Sequence, residues 1–194
     1  MRDTFILGRF DRNLADIKRW AIVRTIRDQS VAEHSYFVAM MTPRLLREYG
    51  YDDPEFILSA TEYALMHDRD EVLSGDIATP IKKRIQSDVF GAIAEEFGLK
   101  VEADDAVKAA VKVLDLFEAA LFLAEEVAMG NGRVVDILTV IKRKMAGACK
   151  AFEEKCPYEV GATDSTKLGL NSRLSHVISY VQHSKIDPLE PDVY

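Results

Sequence analysis

Four ionisable side chains fall within ten residues near the middle of the chain: His67, Asp68, Glu71 and Asp76. The spacing predicts that His67 and Asp68 lie near the end of a helix. Adjacent helical residues point about 100° apart, so these two side chains could approach one ion from neighbouring directions. Glu71 would project from the same side, and Asp76 follows in a glycine-containing loop. A His-Asp pair by itself is best interpreted as an ordinary solvated helix end. A metal site would therefore need further ligands from elsewhere in the sequence.

Two distant positions supply such partners. His34 lies in the first turns of a predicted helix, and Asp115 interrupts an otherwise apolar helical stretch. A carboxylate on an apolar surface is costly unless it is paired or bound to a metal. An ion pair between Asp115 and Lys112 is the open alternative. Two imidazoles and two carboxylates would suit manganese, iron, cobalt or zinc, with coordination positions left for water and a phosphate oxygen.

Composition narrows the class of protein. The chain has 194 residues, 48% of them hydrophobic, which predicts one folded domain over residues 1–194 and excludes a disordered chain. The net charge of −7 argues against nucleic acid polymers as partners. Cys149 and Cys156 fit no disulfide framework or zinc motif, and buried free thiols are expected. No apolar run is long enough to span a membrane, so we predict a cytoplasmic protein.

The hydrophobic periodicity is helical almost throughout, which predicts an all-α bundle. Ser30 and Asp53 are expected helix N-caps, and Pro43 predicts a kink or break inside the second helix. The expected helices cover residues 11–18, 30–49, 53–72, 81–97, 104–129, 133–155 and 167–184, with a loop at 73–80 and an irregular tail from 186.

The order of a histidine, a His-Asp pair and a later aspartate on separate helices resembles the HD-domain phosphohydrolase superfamily. Further ordered matches narrow the resemblance to the bacterial HD-domain 5′-deoxynucleotidases. They span about residues 15–131, with residues 132–185 as less distinctive helices. The matches are Arg19-Trp20, Val23-Arg24, Arg27, Val31-x-Glu33-His34-Ser35, His67-Asp68-x-x-Glu71-Val72-Leu73-x-Gly75-Asp76, Thr79-Pro80-x-Lys82, Asp115 and Ala124-Glu125-Glu126-x-Ala128-x-Gly130-Asn131.

The resemblance implies an HD-domain helical bundle and a role for each matched residue. One divalent metal, most often cobalt, manganese or zinc, would be bound by His34, His67, Asp68 and Asp115, with magnesium as a possible second ion on the phosphate. Glu71 would orient or activate the attacking water, or shuttle a proton. Asp76 would hold the 3′-hydroxyl or assist the leaving 5′-oxygen.

The resemblance also implies a substrate pocket. Arg19 would bind the phosphate, because the paired N–H donors of a planar guanidinium match the spacing of phosphate oxygens. Trp20 would position the phosphate or stack near the base. The alternative for this pair is a snorkelling arginine beside a core tryptophan. The other expected substrate contacts are Ile77, Thr79 and Pro80 around the nucleoside and Lys82 on a second phosphate.

The implied reaction is metal-dependent hydrolysis of the 5′-phosphate ester of a deoxynucleotide, in which activated water attacks the α-phosphorus. An alternative is removal of triphosphate from a deoxynucleoside triphosphate. The chain is similar to phage enzymes that act on dATP through a Trp-x-Ile element, and Ile22 in that place predicts an adenine preference. A non-catalytic nucleotide-sensing module is a remote alternative. The resemblance further implies a homo-oligomer, a dimer or larger.

Two features depart from the family pattern. The stretch between Asp68 and Asp115 is shorter than in the bacterial enzymes, and Glu118 stands one turn after Asp115 on the same face of its helix. Both departures bear on the size of the substrate and on the number of its phosphates.

Overall fold

The computed structural model describes residues 11–77, 92, 95–97, 99–156 and 169–184. Within these residues it contains α-helices and no β-strand, which confirms the all-α prediction. The helices are α1 (Val31–Glu48), α2 (Pro54–Met66), α3 (Glu71–Ser74), α4 (Asp105–Ala128), α5 (Val135–Lys155) and α6 (Leu170–His183), with a 3₁₀ turn at Gly132–Val134.

Helix α1 begins as its sequence predicts. The Ser30 hydroxyl accepts a hydrogen bond from the Glu33 backbone N–H at 3.1 Å, which satisfies one of the open donors of the first turn. The helix continues through Pro43 to Glu48, so the expected break at that proline does not occur. His34 lies in the buried stripe of α1, and its position one turn from the cap is therefore well defined.

The helix that begins at Asp53 ends earlier than predicted. The Asp53 carboxylate accepts from the Phe56 N–H at 2.8 Å, and α2 runs only to Met66. The predicted extension to residue 72 is wrong, because the His67 ring Nδ1 donates to the Ala64 carbonyl at 2.7 Å and occupies an acceptor of the last turn. His67 and Asp68 consequently lie in a tight turn between α2 and α3.

Helix α4 is the centre of the fold. It packs against α1 on one side and against α5 and α6 on the other, and it also contacts α2. Its 24 residues are buried along most of their length, which is why its sequence is apolar on nearly every face. Any polar side chain that α4 carries inward therefore needs a partner within the protein.

A loop of residues 19–29 leads into α1 and is closed at its base by backbone pairing. The Arg19 N–H donates to the Gln29 carbonyl at 2.8 Å, and the Val31 N–H donates to the Ile17 carbonyl at 2.9 Å. This pairing extends residues 17–19, so the helix predicted for residues 11–18 is wrong beyond a single helical turn at 11–13. Within the loop, Trp20 adopts a left-handed backbone conformation with φ of 63°.

The remaining expectations lie partly within and partly outside the described residues. Helices α5 and α6 confirm the two predicted C-terminal helices, with later starting residues. The predicted helix at 81–97 and the irregular tail from 186 lie outside the described residues, apart from isolated positions. Cys149 and Cys156 are free and buried, as expected. Among the described helices, none is long and apolar enough to cross a membrane.

Candidate metal centre

Two histidines from different elements face each other. His34, on α1, is fully buried, and His67 follows the last residue of α2 with 9% of its side chain exposed. Their ring centroids are 5.4 Å apart. Among the residues that the structure describes, neither Nε2 atom has a hydrogen-bond partner. Buried imidazole nitrogens without partners are costly, and a metal ion would satisfy both.

Two carboxylates complete this group. Asp68 Oδ2 lies 3.3 Å from His67 Nε2 and 3.7 Å from His34 Nε2, and Asp115 Oδ1 lies 3.4 Å from His34 Nε2. Ligand atoms of His34, His67 and Asp68 lie within 4.8 Å of one another. Nitrogen and carboxylate oxygen donors at this spacing fit a divalent metal of the zinc, cobalt or manganese type. The structure thus places His34, His67 and Asp68 in one group and sets Asp115 beside His34.

The ion pair weighed as an alternative for Asp115 is also present. Lys112 Nζ lies 2.6 Å from Asp115 Oδ2, one turn back on α4. The two roles do not conflict, because Lys112 uses the outer oxygen while Oδ1 faces His34. The lysine side chain is 61% exposed, so the pair lies at the solvent edge of the site and is worth little by itself.

The pKa values of His34 and Asp115 are shifted in opposite directions. Burial lowers the pKa of His34, but the neighbouring carboxylates of Asp115 and Glu118 outweigh it and raise the pKa above 6.5. Burial raises the pKa of Asp115, but His34, Lys112 and His67 outweigh it and hold that pKa below its usual range. Asp115 is therefore ionised at neutral pH, and a metal must compete with a proton for His34.

Arg19 lies beside this cluster. Its Nη1 is 3.5 Å from Glu118 Oε2, and its Nη2 is 3.9 Å from Asp115 Oδ1. The side chain is only 12% exposed, so its charged end is not in solvent as the snorkelling alternative requires. Nη1 makes no hydrogen bond to any described residue. A cation in this position could hold an oxyanion next to the metal group.

Trp20 and Asp76 meet at the entrance to the 19–29 loop. The Trp20 backbone N–H donates to Asp76 Oδ2 at 3.0 Å, which ties the loop to the residues after α3. The indole ring stacks on Phe122 of α4, with centroids 5.8 Å apart. Ile22 is 75% exposed two residues later, and Ile77 is half-buried next to Asp76. The left-handed backbone of Trp20 is thus held by contacts on both sides.

Glu71 is the first residue of α3 and is buried. It follows Asp68 by three residues, and its backbone N–H donates to the Asp68 carbonyl at 3.0 Å. The turn that carries His67 and Asp68 therefore also sets the position of Glu71. Thr79, Pro80 and Lys82, expected to bind substrate, lie outside the described residues.

Two further residues belong to this site: Glu118, which the sequence shows only as a departure from the family pattern, and Gln29, which it does not indicate. Glu118 accepts from Nδ1 of His34, and its other oxygen accepts from the Gln29 side-chain amide at 2.6 Å. The spacing of Glu118 from Asp115 on one face of an apolar helix was the available signal for the first. Gln29 is polar yet 2% exposed, and nothing in its sequence neighbourhood indicates that burial.

Comparisons with known proteins identify the family. The family model for 5′-deoxynucleotidase YfbR-like proteins matches residues 9–89. A 5′-deoxynucleotidase of Shewanella oneidensis is 33% identical over 140 residues, which cover 59% of this chain and 71% of that protein. The chain belongs to the 5′-deoxynucleotidase family. This confirms the resemblance that the sequence motifs indicate.

A phage protein is also similar to this member of the 5′-deoxynucleotidase family. The dATP triphosphohydrolase of Salmonella phage PMBT28 is 34% identical over 119 residues, which cover 56% of this chain and 61% of that protein. The chain therefore spans less than two thirds of the length of that relative.

Solved structures confirm the HD-domain fold. The HD phosphohydrolase of cyanophage S-2L, solved with dA and one catalytic zinc ion, superposes with a TM-score of 0.67 at 23% identity and covers 92% of this chain and 98% of its own. An HD-domain phosphohydrolase of Listeria innocua gives a TM-score of 0.58 at 17% identity, with 93% and 98% coverage. At these identities the likeness concerns the fold alone.

Proposed function

We propose that this protein hydrolyses the 5′-phosphate ester of deoxynucleotides and releases a deoxynucleoside and phosphate. The observation that carries the proposal is the convergence of His34, His67, Asp68 and Asp115, with two imidazole Nε2 atoms that make no hydrogen bond to the described residues. Membership of the 5′-deoxynucleotidase family supplies the reaction class.

The four converging side chains would hold one divalent metal. When bound, such an ion acts as a Lewis acid that lowers the pKa of water and offsets charge on a phosphoryl oxygen. Glu71, buried one turn after Asp68, would orient the attacking water or take up its proton. The low pKa of Asp115 keeps that ligand ionised without requiring alkaline conditions.

Arg19 and the loop behind it would position the substrate. Its guanidinium would bind the phosphate, since it lies beside Asp115 and Glu118 and its Nη1 makes no hydrogen bond to described residues. Trp20 would lie against the base or the phosphate, and Asp76 would contact the 3′-hydroxyl or the leaving 5′-oxygen. Ile77, Thr79, Pro80 and Lys82 remain predicted substrate contacts from the sequence.

Removal of triphosphate from dATP is the second candidate reaction. Similarity to the Salmonella phage dATP triphosphohydrolase and the exposed Ile22 after Trp20 favour it. Both reactions need attack at the α-phosphorus, so the same cluster serves either.

Four further properties remain predictions from the sequence. They are a single domain over residues 1–194, a homo-oligomeric state, a cytoplasmic location and a second, phosphate-bound magnesium ion.

Product analysis tests the reaction. The protein would be loaded in turn with cobalt, manganese, zinc and magnesium and incubated with each deoxynucleoside mono- and triphosphate and its ribose counterpart. Phosphorus NMR then separates phosphate from triphosphate. We expect phosphate from the deoxynucleoside monophosphates, whereas triphosphate from dATP alone would establish the second reaction. No turnover with any metal would contradict both and revive the nucleotide-sensing module.

Paired histidine variants provide the control. His67→Asn removes a candidate ligand, and His176→Asn changes an exposed histidine on α6. We expect His67→Asn to abolish turnover and His176→Asn to retain it. Equal loss in both variants would show that activity does not depend on the cluster.

The adenine preference has its own test. A branched side chain at position 22 would crowd the 2-amino group of guanine, which adenine lacks. We expect kcat/KM to be higher for the adenine substrate than for the guanine substrate and the ratio to fall in Ile22→Ala. Equal kcat/KM values for both bases in the wild-type protein would contradict the assignment of Ile22.

A further inference from the structure

A chain of side-chain hydrogen bonds connects Trp20 to His34. The Trp20 indole N–H donates to Gln29 Oε1 at 3.0 Å, and Gln29 Nε2 donates to Glu118 Oε1 at 2.6 Å. Glu118 Oε2 then accepts from Nδ1 of His34. The two middle members are 2% and 6% exposed, so water does not compete for these contacts.

The direction of every bond in this chain is set by its ends. An indole nitrogen can only donate, and an ionised carboxylate can only accept. Gln29 must therefore turn its oxygen towards Trp20 and its amide nitrogen towards Glu118. By the same argument Nδ1 of His34 carries a proton, so Nε2 is the ring nitrogen that a metal would take.

We propose that Glu118 is a positioning residue that sets the ring orientation and tautomer of His34 for metal binding, and that Gln29 joins this function to the loop of Trp20. The inference rests on the proposed metal site. Carboxylate partners of metal-binding histidines fix the ring in this way, and their loss costs about 10- to 100-fold in metal affinity. Arg19 Nη1 lies 3.5 Å from Glu118 Oε2, on the same carboxylate oxygen that accepts from His34.

The position of His67 explains why only one histidine needs such a residue. His67 donates its Nδ1 proton to the backbone carbonyl of Ala64, within its own helix turn. His34 lies in the second turn of α1, and its Nδ1 instead faces α4. Both rings thus donate from Nδ1 and direct Nε2 towards the cluster, His67 through a backbone carbonyl and His34 through Glu118. His67 therefore serves as an internal reference in experiments that change Glu118.

An exchange of two residues tests the direction of the chain. In Glu118→Gln, one amide cannot accept from both His34 and Gln29, so two donors face each other at one position. The double variant Gln29→Glu/Glu118→Gln restores the order: the new carboxylate accepts from Trp20 and from the new amide, whose oxygen accepts from His34. The proposal predicts about 10- to 100-fold weaker zinc binding in the single variant and recovery of most of that loss in the double variant.

The measurements are zinc affinity by chelator competition and ¹⁵N-histidine NMR of the zinc-loaded protein. We expect the Nδ1–H signal of His34 to be protected from exchange in the wild type, lost in Glu118→Gln and restored in the double variant, with the His67 signal unchanged. Glu126→Gln is the matched control: Glu126 is buried on the same helix but accepts from Ile26, Arg27 and Asn131, so zinc affinity should not change.

The outcomes separate this inference from the proposed function. Wild-type zinc affinity and an unchanged His34 signal in Glu118→Gln would overturn the inference and leave the metal site intact. A double variant that binds zinc as weakly as the single variant would also overturn it, because hydrogen-bond direction would not be the cause. Absence of zinc binding by the wild type would overturn the metal site and the inference together.

Discussion

The two sides of α4 differ in polarity. The side that faces α1 and the 19–29 loop carries Asp115, Glu118 and Glu126, each with a partner on another element or on its own helix. Helix α5, which packs against α4, contributes fully buried apolar side chains such as Met145 and Phe152. Apolar packing tolerates substitution of similar volume, whereas a buried polar group loses its function when one partner is removed. We therefore expect catalysis and stability to respond to different faces of one helix.

Among the side chains of α4, the largest effect on turnover is expected from Asp115. Asp115→Asn should weaken metal binding and lower kcat/KM by about 1000-fold or more, since the metal contributes several kcal/mol of charge stabilisation. Lys112→Met, which removes the ion pair but not the candidate ligand, is the matched comparison, measured by metal titration and steady-state kinetics. Similar losses in both variants would mean that Asp115 acts through its ion pair.

A variant of Glu71 should distinguish metal binding from the catalytic step. Glu71→Ala is expected to retain metal affinity and lower kcat by about 100-fold or more, the usual contribution of a general acid or base. Metal affinity by titration and kcat from initial rates provide the two readouts. Near-normal kcat would remove Glu71 from the reaction.

An intermediate effect is expected from pH. Because the pKa of His34 is raised above 6.5, a proton occupies the site that the metal needs. Affinity should therefore rise with pH by up to about tenfold per unit until the pH exceeds that pKa. In the metal-free protein the sign is opposite: the stabilisation from protonated His34 is complete below pH 6.5 and is lost as the pH rises through its raised pKa. Metal titrations and thermal unfolding across pH 5–9 check both, and a pH-independent affinity would contradict the first.

The smallest effect on turnover is expected from the apolar side. Phe152→Ala should lower the free energy of unfolding by about 3–5 kcal/mol, since Phe152 is fully buried and packs edge-on against Tyr49. The folded fraction should keep its kcat and metal affinity. Denaturant unfolding and kinetics at low temperature measure these quantities. A large fall in kcat of the folded protein would show that the two faces of α4 are not independent.

Much of this organisation follows from local sequence signals. The caps at Ser30 and Asp53 and the apolar length of α4 predict the starts and extents of helices, because these signals act within one turn. The spacing of His67 and Asp68 and the cost of a carboxylate such as Asp115 on an apolar helix indicate candidate metal ligands. The resemblance to the HD-domain family joins them with His34. The end of α2 at Met66 was not predicted, since it depends on one side-chain bond from His67 to the backbone.

The role of Glu118 was beyond local sequence reasoning for a different reason. Its value depends on His34 and Gln29, which are 84 and 89 residues away in the chain. Helical spacing places Glu118 on the face of Asp115, but only the packing of α1 against α4 shows which atom it contacts. Long-range pairing of this kind can be read from a structure and not from periodicity.

The central claim is that four side chains from α1, the turn after α2, and α4 bind one divalent metal. Crystals grown with zinc and measured at the zinc absorption edge test it most directly. We expect one strong anomalous peak about 2.0–2.2 Å from His34 Nε2, His67 Nε2 and carboxylate oxygens of Asp68 and Asp115. A zinc-loaded crystal with no peak among these atoms, or with Asp115 outside the coordination sphere, would contradict it.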